Sequence, residues 1–116
     1  MAKTRKSLVT PRTIAFIRQE GICFYCKQPM WSGNPHEFAS KFKISLAQAK
    51  RFRCTGEHLK AHCEGGSASP ANIVAACCFC NQKRHRGRKE IPSPDQYKNL
   101  IQRRMDKGRW HDVRLH

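Results

Sequence analysis

The sequence predicts an α+β fold, and three observations lead to it. Two short strand-like runs occur, 53–55 (Arg-Cys-Thr) and 72–76 (Asn-Ile-Val-Ala-Ala). Helix starts are marked at Thr10-Pro11, at Ser45 with Gln48, and at Ser93-Pro94 with Gln96. Cysteines are grouped in two Cys-x-x-Cys turns, Cys23/Cys26 and Cys77/Cys80, far apart in the chain.

The elements follow in order. Thr10 reads as an N-cap with Pro11 at the first helical position, since a hydroxyl can accept from the orphan amides and Pro has no amide to lose. Ile14, Phe16 and Ile17 supply an apolar stripe, and Gly21 ends the helix. Residues 21–31 form a knuckle, and 32–35 (Ser-Gly-Asn-Pro) a loop. Residues 36–53 read as two short helices whose shared apolar face is Phe38, Ala39, Phe42, Ile44, Leu46 and Ala49. They are too short to fix a recognition helix and read as a packing insert. A helix starts near Cys78 and runs to about Arg86, and the last helix runs from Ser93 to Gly108. The final residues, RWHDVRLH, are expected to be loosely held. One domain over 1–116 is expected, with a core at 21–89, an N-terminal helix in 1–20, the insert at 36–53 and a C-terminal helix at 93–108.

Charge narrows the function. The 116 residues carry 23 Lys+Arg against 8 Asp+Glu, a net charge of +15. With a pI near 10.1 and mean hydropathy of −0.72, a polyanionic partner is expected, because neutralising phosphates releases condensed counterions. No apolar run approaches the roughly 20 residues of a membrane-spanning helix, and no basic amphipathic helix suits a membrane surface. The N-terminus lacks the apolar stretch of a secretory signal. A cytoplasmic, reducing setting is therefore expected, in which the odd count of seven cysteines points to metal ligation rather than to a disulfide framework.

Zinc takes four soft ligands in a tetrahedron, and each Cys-x-x-Cys turn presents two thiolates on one side. Cys23, Cys26, Cys77 and Cys80 are thus the expected structural zinc ligands, and a metal staple suits a chain with a modest core. Cys78 is the competing ligand to Cys77, but its spacing to Cys80 is only Cys-x-Cys. Cys54 and Cys63 read as small buried apolar residues, the alternative being a second zinc with His58 and His62.

A second constellation carries chemistry. Neighbours on a strand point to opposite faces, so Glu57 can face a cation while His58 faces a substrate. Asn81 and His85 are four apart and share one helix face. A helix packed across the strand pair can gather Glu57, Asn81 and His85 about one hard cation, magnesium or manganese, with the imidazole widening tolerance to other divalent ions. The ordinary pKa of an imidazole suits a general base near neutrality. The run Lys83, Arg84, Arg86, Arg88 and Lys89 leaves that helix and is expected to contact phosphates, positioning a backbone rather than reading bases.

The run CTGEHLKAHCEGGSASPANIVAACCFCNQKRH resembles the HNH endonuclease family: an acidic-His pair, a Gly-Gly loop, an Asn on the second strand, then Cys-x-x-Cys followed by Asn on a helix. With the upstream CFYC the likeness covers residues 21–89. It implies a zinc-stapled ββα-metal core with flanking helices. By the same resemblance His58 is the general base, and Glu57 takes the place of the metal-binding Asp or His. Asn72 is the middle Asn that braces the loop and helps orient the base, and Asn81 is the metal ligand at the helix start. His85 matches the second helical His of colicin-type nucleases, and the four cysteines match the zinc-containing subset. Glu57 is longer than the usual Asp, Ala61 stands where Pro is common, and the insert between Cys26 and Glu57 is long. The implied activity is metal-dependent hydrolysis of double-stranded DNA, leaving 5′-phosphate and 3′-hydroxyl ends, with no small-molecule cofactor. The alternatives are a non-catalytic zinc-binding nucleic-acid module and a ribonuclease of the same fold.

Overall fold

A computed structural model describes residues 9–60 and 70–115. Ala61, His62, Cys63 and the Gly65-Gly66 pair lie outside the described residues. The helices are α1 (Val9–Arg18), α2 (Pro35–Phe42), α3 (Leu46–Lys50), α4 (Cys78–His85) and α5 (Pro94–Asp106). Two strands, β1 (Cys54–His58) and β2 (Ile73–Cys77), form an antiparallel pair in register from Cys54↔Cys77 to His58↔Ile73. The predicted α+β architecture is the one observed.

β2 is buried at all five positions, whereas β1 buries only Cys54 and Glu57. β1 extends to His58, beyond the predicted 53–55. Gly56, Glu57 and His58 are poor strand formers, so local propensity hides what the ladder to β2 imposes. The open edge of β2 is closed by a side chain. Gln19, just past α1, donates to the Ala75 carbonyl at 2.9 Å and accepts from the Ala75 amide at 2.9 Å, as a neighbouring strand would.

That pairing turns part of the predicted face of α1 outward, although Phe16 still packs on the core. Ile14 and Ile17 are 41% and 68% exposed, while Ala15 is fully buried. A small residue is needed where the helix approaches β2, and Ala15 lies one turn from Gln19. Thr10 is already helical, since α1 begins at Val9, so it is not the cap. The chain turns out of α1 through Glu20 at φ 56° and Gly21 at φ 73°, and a methyl group on Gly21 would press on the Phe16 ring at 3.4 Å.

The other helix signals are local. Asn34, read as loop, caps α2 by accepting from the His36 and Glu37 amides, with Pro35 at the first helical position. Reciprocal capping boxes join Ser45 to Gln48 and Ser93 to Gln96. α2 and α3 close over Phe38, Ala49 and Phe52, with Trp31 donating through its indole N–H to the Ala49 carbonyl at 2.7 Å. The larger core gathers the four Cys-x-x-Cys cysteines with Tyr25, Met30, Ala75, Ala76, Tyr97, Ile101 and Met105.

The C-terminal tail is fixed, contrary to the expectation of a loose end. Trp110 meets Phe79 edge-on at 5.0 Å, and the His111 ring lies 4.6 Å from Phe52. Val113 and Leu115 pack on the Phe38–Phe52 cluster, and the Leu115 amide donates to Gln28 at 2.8 Å. The apolar residues of this polar-looking tail cover the seam between the two cores. Among the described residues no helix is long and apolar enough to cross a membrane.

Candidate functional site

Two sites converge on α4. The first is the cysteine cluster. The turn at 23–26 and the β2–α4 junction place the Sγ atoms of Cys23, Cys26, Cys77 and Cys80 within 4.8 Å of one another, all buried. A tetrahedron of thiolates about 2.3 Å from zinc has edges of about 3.8 Å. Cys26 and Cys77 stand at 3.9 Å and every pair lies within 4.8 Å, so the cluster accommodates zinc once its wider edges contract by up to about 1 Å. Backbone amides already point at the sulfurs: those of Tyr25 and Cys77 donate to Cys23, and that of Cys80 to Cys77. The Trp110 indole N–H donates to the Cys80 sulfur at 3.2 Å. Burial pushes the Cys23 thiol up, but hydrogen bonds from Cys26, Cys77 and Cys80 outweigh it and hold this thiol well below its ordinary value. Burial, with the hydrogen bonds to Cys23 and Cys26, pushes Cys77 and Cys80 well above theirs. Cys78 is outside the cluster, near Arg53 at 3.7 Å. Cys54 is buried, and burial pushes its thiol up to about 11, in keeping with a small apolar core residue.

The second site is built on Glu57, whose side chain is 2% exposed. Its Oε2 accepts from the Tyr25 hydroxyl at 3.0 Å and from Arg84 Nη1 at 2.9 Å. Its Oε1 faces His85 Nε2 at 2.9 Å. One oxygen is thus held by protein donors, and the other meets an imidazole that is 34% exposed. Two ligands about 2.1 Å from one octahedral cation, at right angles, lie about 3.0 Å apart. The Glu57–His85 contact is a direct hydrogen bond whose length equals that spacing.

The match between strand and helix is geometric. Two residues along a strand span about 6.6 Å and four along a helix about 6 Å, so a pair two apart on β1 can meet a pair four apart on α4. Glu57 meets His85, and Thr55 meets Asn81, whose Nδ2 donates to Thr55 Oγ1 at 3.0 Å and to the Gly56 carbonyl at 3.2 Å. Asn81 thereby ties α4 to β1 through its amide nitrogen, and its carbonyl oxygen is the end suited to a hard cation.

His58 follows Glu57 at the end of β1, opposite Ile73, and is half-buried. Its carbonyl accepts from Arg84 Nη1 at 3.1 Å. Asn72 clasps the turn that leaves β1: its Oδ1 accepts from the Lys60 amide at 2.8 Å and its Nδ2 donates to the Lys60 carbonyl at 3.0 Å. The backbone position of His58 is therefore held by an arginine on one side and an asparagine clasp on the other.

The basic run divides. Lys83, Arg86, Arg88 and Lys89 are exposed. Arg84, read from the sequence as a phosphate contact, is 3% exposed and bonds Glu57, the His58 carbonyl and the Pro92 carbonyl. A buried carboxylate needs a compensating charge, and Arg84 supplies it, so it does not face a ligand in solution. Tyr25, Thr55 and this use of Arg84 escaped the sequence reading. Their partners lie 26 to 32 residues away in the chain, and the one available signal was that a buried Glu57 requires a cation.

An antiparallel pair with a helix packed across it, beside a four-cysteine cluster, is the ββα-metal class of fold. The HNH endonuclease family model matches residues 40–87, from within α2 to the residues just after α4. Over residues 40–87 the chain is similar to the HNH endonuclease family, and its cysteine cluster is compatible with the zinc-containing subset of that family. No curated protein and no solved structure matches it.

Proposed function

We propose that this protein is a metal-dependent endonuclease that hydrolyses DNA phosphodiester bonds with His58 as general base. The observation that carries the reading is the Glu57–His85 pair at 2.9 Å, an acid from β1 and an imidazole from α4 set at the spacing of two ligands on one ion. Glu57, His85 and the Asn81 carbonyl would hold magnesium or manganese. When bound, such a cation offsets charge on the scissile phosphate and on the leaving 3′-oxygen.

The residues of the chain do the rest. Tyr25 and Arg84 hold Oε2 of Glu57 and so aim Oε1 at His85. His58 takes a proton from water, whose oxygen attacks phosphorus in line while the 3′-oxygen leaves with its electron pair. Asn72 fixes the turn after His58 and so orients the base. Lys83, Arg86, Arg88 and Lys89 position the DNA backbone. Cys23, Cys26, Cys77 and Cys80 bind structural zinc and fix the β2–α4 junction to the 23–26 turn. The abundance of free cysteines suits a cytoplasmic setting.

A plasmid-nicking assay with a metal series tests the reading. Wild type should nick with magnesium or manganese, and His58→Ala should keep zinc and fold but lose cleavage. Undiminished nicking by His58→Ala, or none by wild type with any metal, would refute it. The second result would leave a zinc-binding nucleic-acid module. RNA run in parallel separates a ribonuclease from a deoxyribonuclease.

A further inference from the structure

α4 carries different chemistry on different sides. Asn81 and His85 face β1. Away from them a groove of about 330 Å³ runs between α4 and the end of α3. Four of its lining residues are cationic: Lys50 and Arg51 from the insert, Lys83 and Arg86 from α4. The insert is fixed there by backbone bonds, the Cys78 amide donating to the Arg53 carbonyl at 2.8 Å and that of Phe79 to the Arg51 carbonyl at 3.0 Å.

Two of the four cations stand on an aromatic ring. Arg51 and Lys83 each lie 5.5 Å from the Phe79 ring centroid. Phe79 meets Trp110, which carries Arg104 at 5.6 Å and is hydrogen-bonded to the Cys80 sulfur. Cations stacked on fixed rings lose less freedom on meeting an anion than cations on free stems. Arg51 has an acidic partner, Asp112 of the tail, at 3.3 Å, with both side chains nearly half exposed. An exposed pair of this kind is weak, and a phosphate can displace it.

We propose that this groove is a second backbone-binding site, in which Lys50 and Arg51 of the insert join Lys83 and Arg86 to hold the sugar–phosphate chain of the nucleic acid engaged on the far side of α4, with Asp112 as a built-in competitor for Arg51. The proposal rests on the reading of the chain as acting on nucleic acid. It assigns the insert a role in substrate binding as well as in packing. Recognition is by charge and spacing, so the binding is indifferent to base sequence.

The test reads binding and not cleavage, so its failure is separable from that of the nuclease reading. Zinc-loaded His58→Ala protein, without magnesium or manganese, is titrated against a fluorescent DNA duplex over a potassium chloride series. Each phosphate left unneutralised lowers the slope of log K against log salt by about 0.9. Adding Lys50→Gln and Arg51→Gln should therefore lower the slope by about 1.8. Both side chains are exposed, so the fold is spared. Lys41→Gln with Lys43→Gln removes the same charge outside the groove and should leave the slope unchanged. Asp112→Asn should tighten binding at low salt by about two- to fivefold, the effect of freeing one exposed arginine. An unchanged slope in the Lys50/Arg51 pair, an equal fall in the Lys41/Lys43 pair, or no gain from Asp112→Asn would overturn the proposal.

Discussion

Replacing Arg84 with methionine separates a structural arginine from one that binds phosphate. The guanidinium is 3% exposed and meets a carboxylate that is 2% exposed at 2.9 Å. It also donates to the carbonyls of His58 and Pro92. Methionine fills much of the stem volume but leaves the buried Glu57 carboxylate without its guanidinium, with Tyr25 and His85 as its side-chain partners among the described residues. Removing one partner of a buried ion pair costs about 3–5 kcal/mol, against a total stability of roughly 5–15 kcal/mol for a domain. Urea denaturation of the zinc-loaded protein should therefore show a loss of about that size. Adding Glu57→Gln to Arg84→Met removes the uncompensated charge and should recover a large part of the loss. Arg86→Met, two residues on and exposed, should change stability by less than about 0.5 kcal/mol. If Arg84→Met proves as mild as Arg86→Met, or if the double variant is the less stable one, the burial argument for Arg84 is refuted.

Zinc content by elemental analysis should be near one per chain, and stripping it should abolish the cooperative thermal transition, because the cysteines hold the β2–α4 junction to the 23–26 turn; a metal-free protein with an unchanged transition would count against the staple. Trp110 fluorescence should change on zinc release, since its indole N–H donates to Cys80, and Trp110→Phe should remove that response. His111 gives a pH prediction. Burial pushes its imidazole down to about 4, partly offset by Cys23 and Asp112, and its two ring nitrogens have no hydrogen-bond partner among the described residues. The folded state thus binds its proton later than the unfolded chain, whose histidine titrates near 6.5. Stability should fall as pH drops from about 6.5 to 4 and level off below, by about 1–2 kcal/mol once partial exposure is discounted. His111→Phe should flatten that part of the curve in denaturation run across pH, and an identical curve would place the titration elsewhere.

Much of the fold was legible because its signals are local. The Ser45/Gln48 and Ser93/Gln96 boxes act within one helical turn, and the two Cys-x-x-Cys turns announce themselves by spacing. The i, i+4 relation of Asn81 and His85 likewise places them on the face of α4 that meets β1. What stayed hidden depends on distant partners. Ile14 and Ile17 form a good stripe by pattern, yet the Gln19 pairing with Ala75 turns Ala15 inward instead. Arg84 sits in a basic run and reads as solvent-facing until a carboxylate 27 residues upstream is known to be buried beside it. The tail reads as loose because nothing in its own sequence shows that Phe52 and Phe79 wait beneath His111 and Trp110.

The claim at the centre is that β1 and α4 bring Glu57 and His85 to one divalent ion. Manganese titration of zinc-loaded His58→Ala, followed by electron paramagnetic resonance, tests it without turnover. One manganese site per chain is expected, weakened at least roughly tenfold when His85→Ala is added. No manganese site, or one that His85→Ala leaves unchanged, would contradict it.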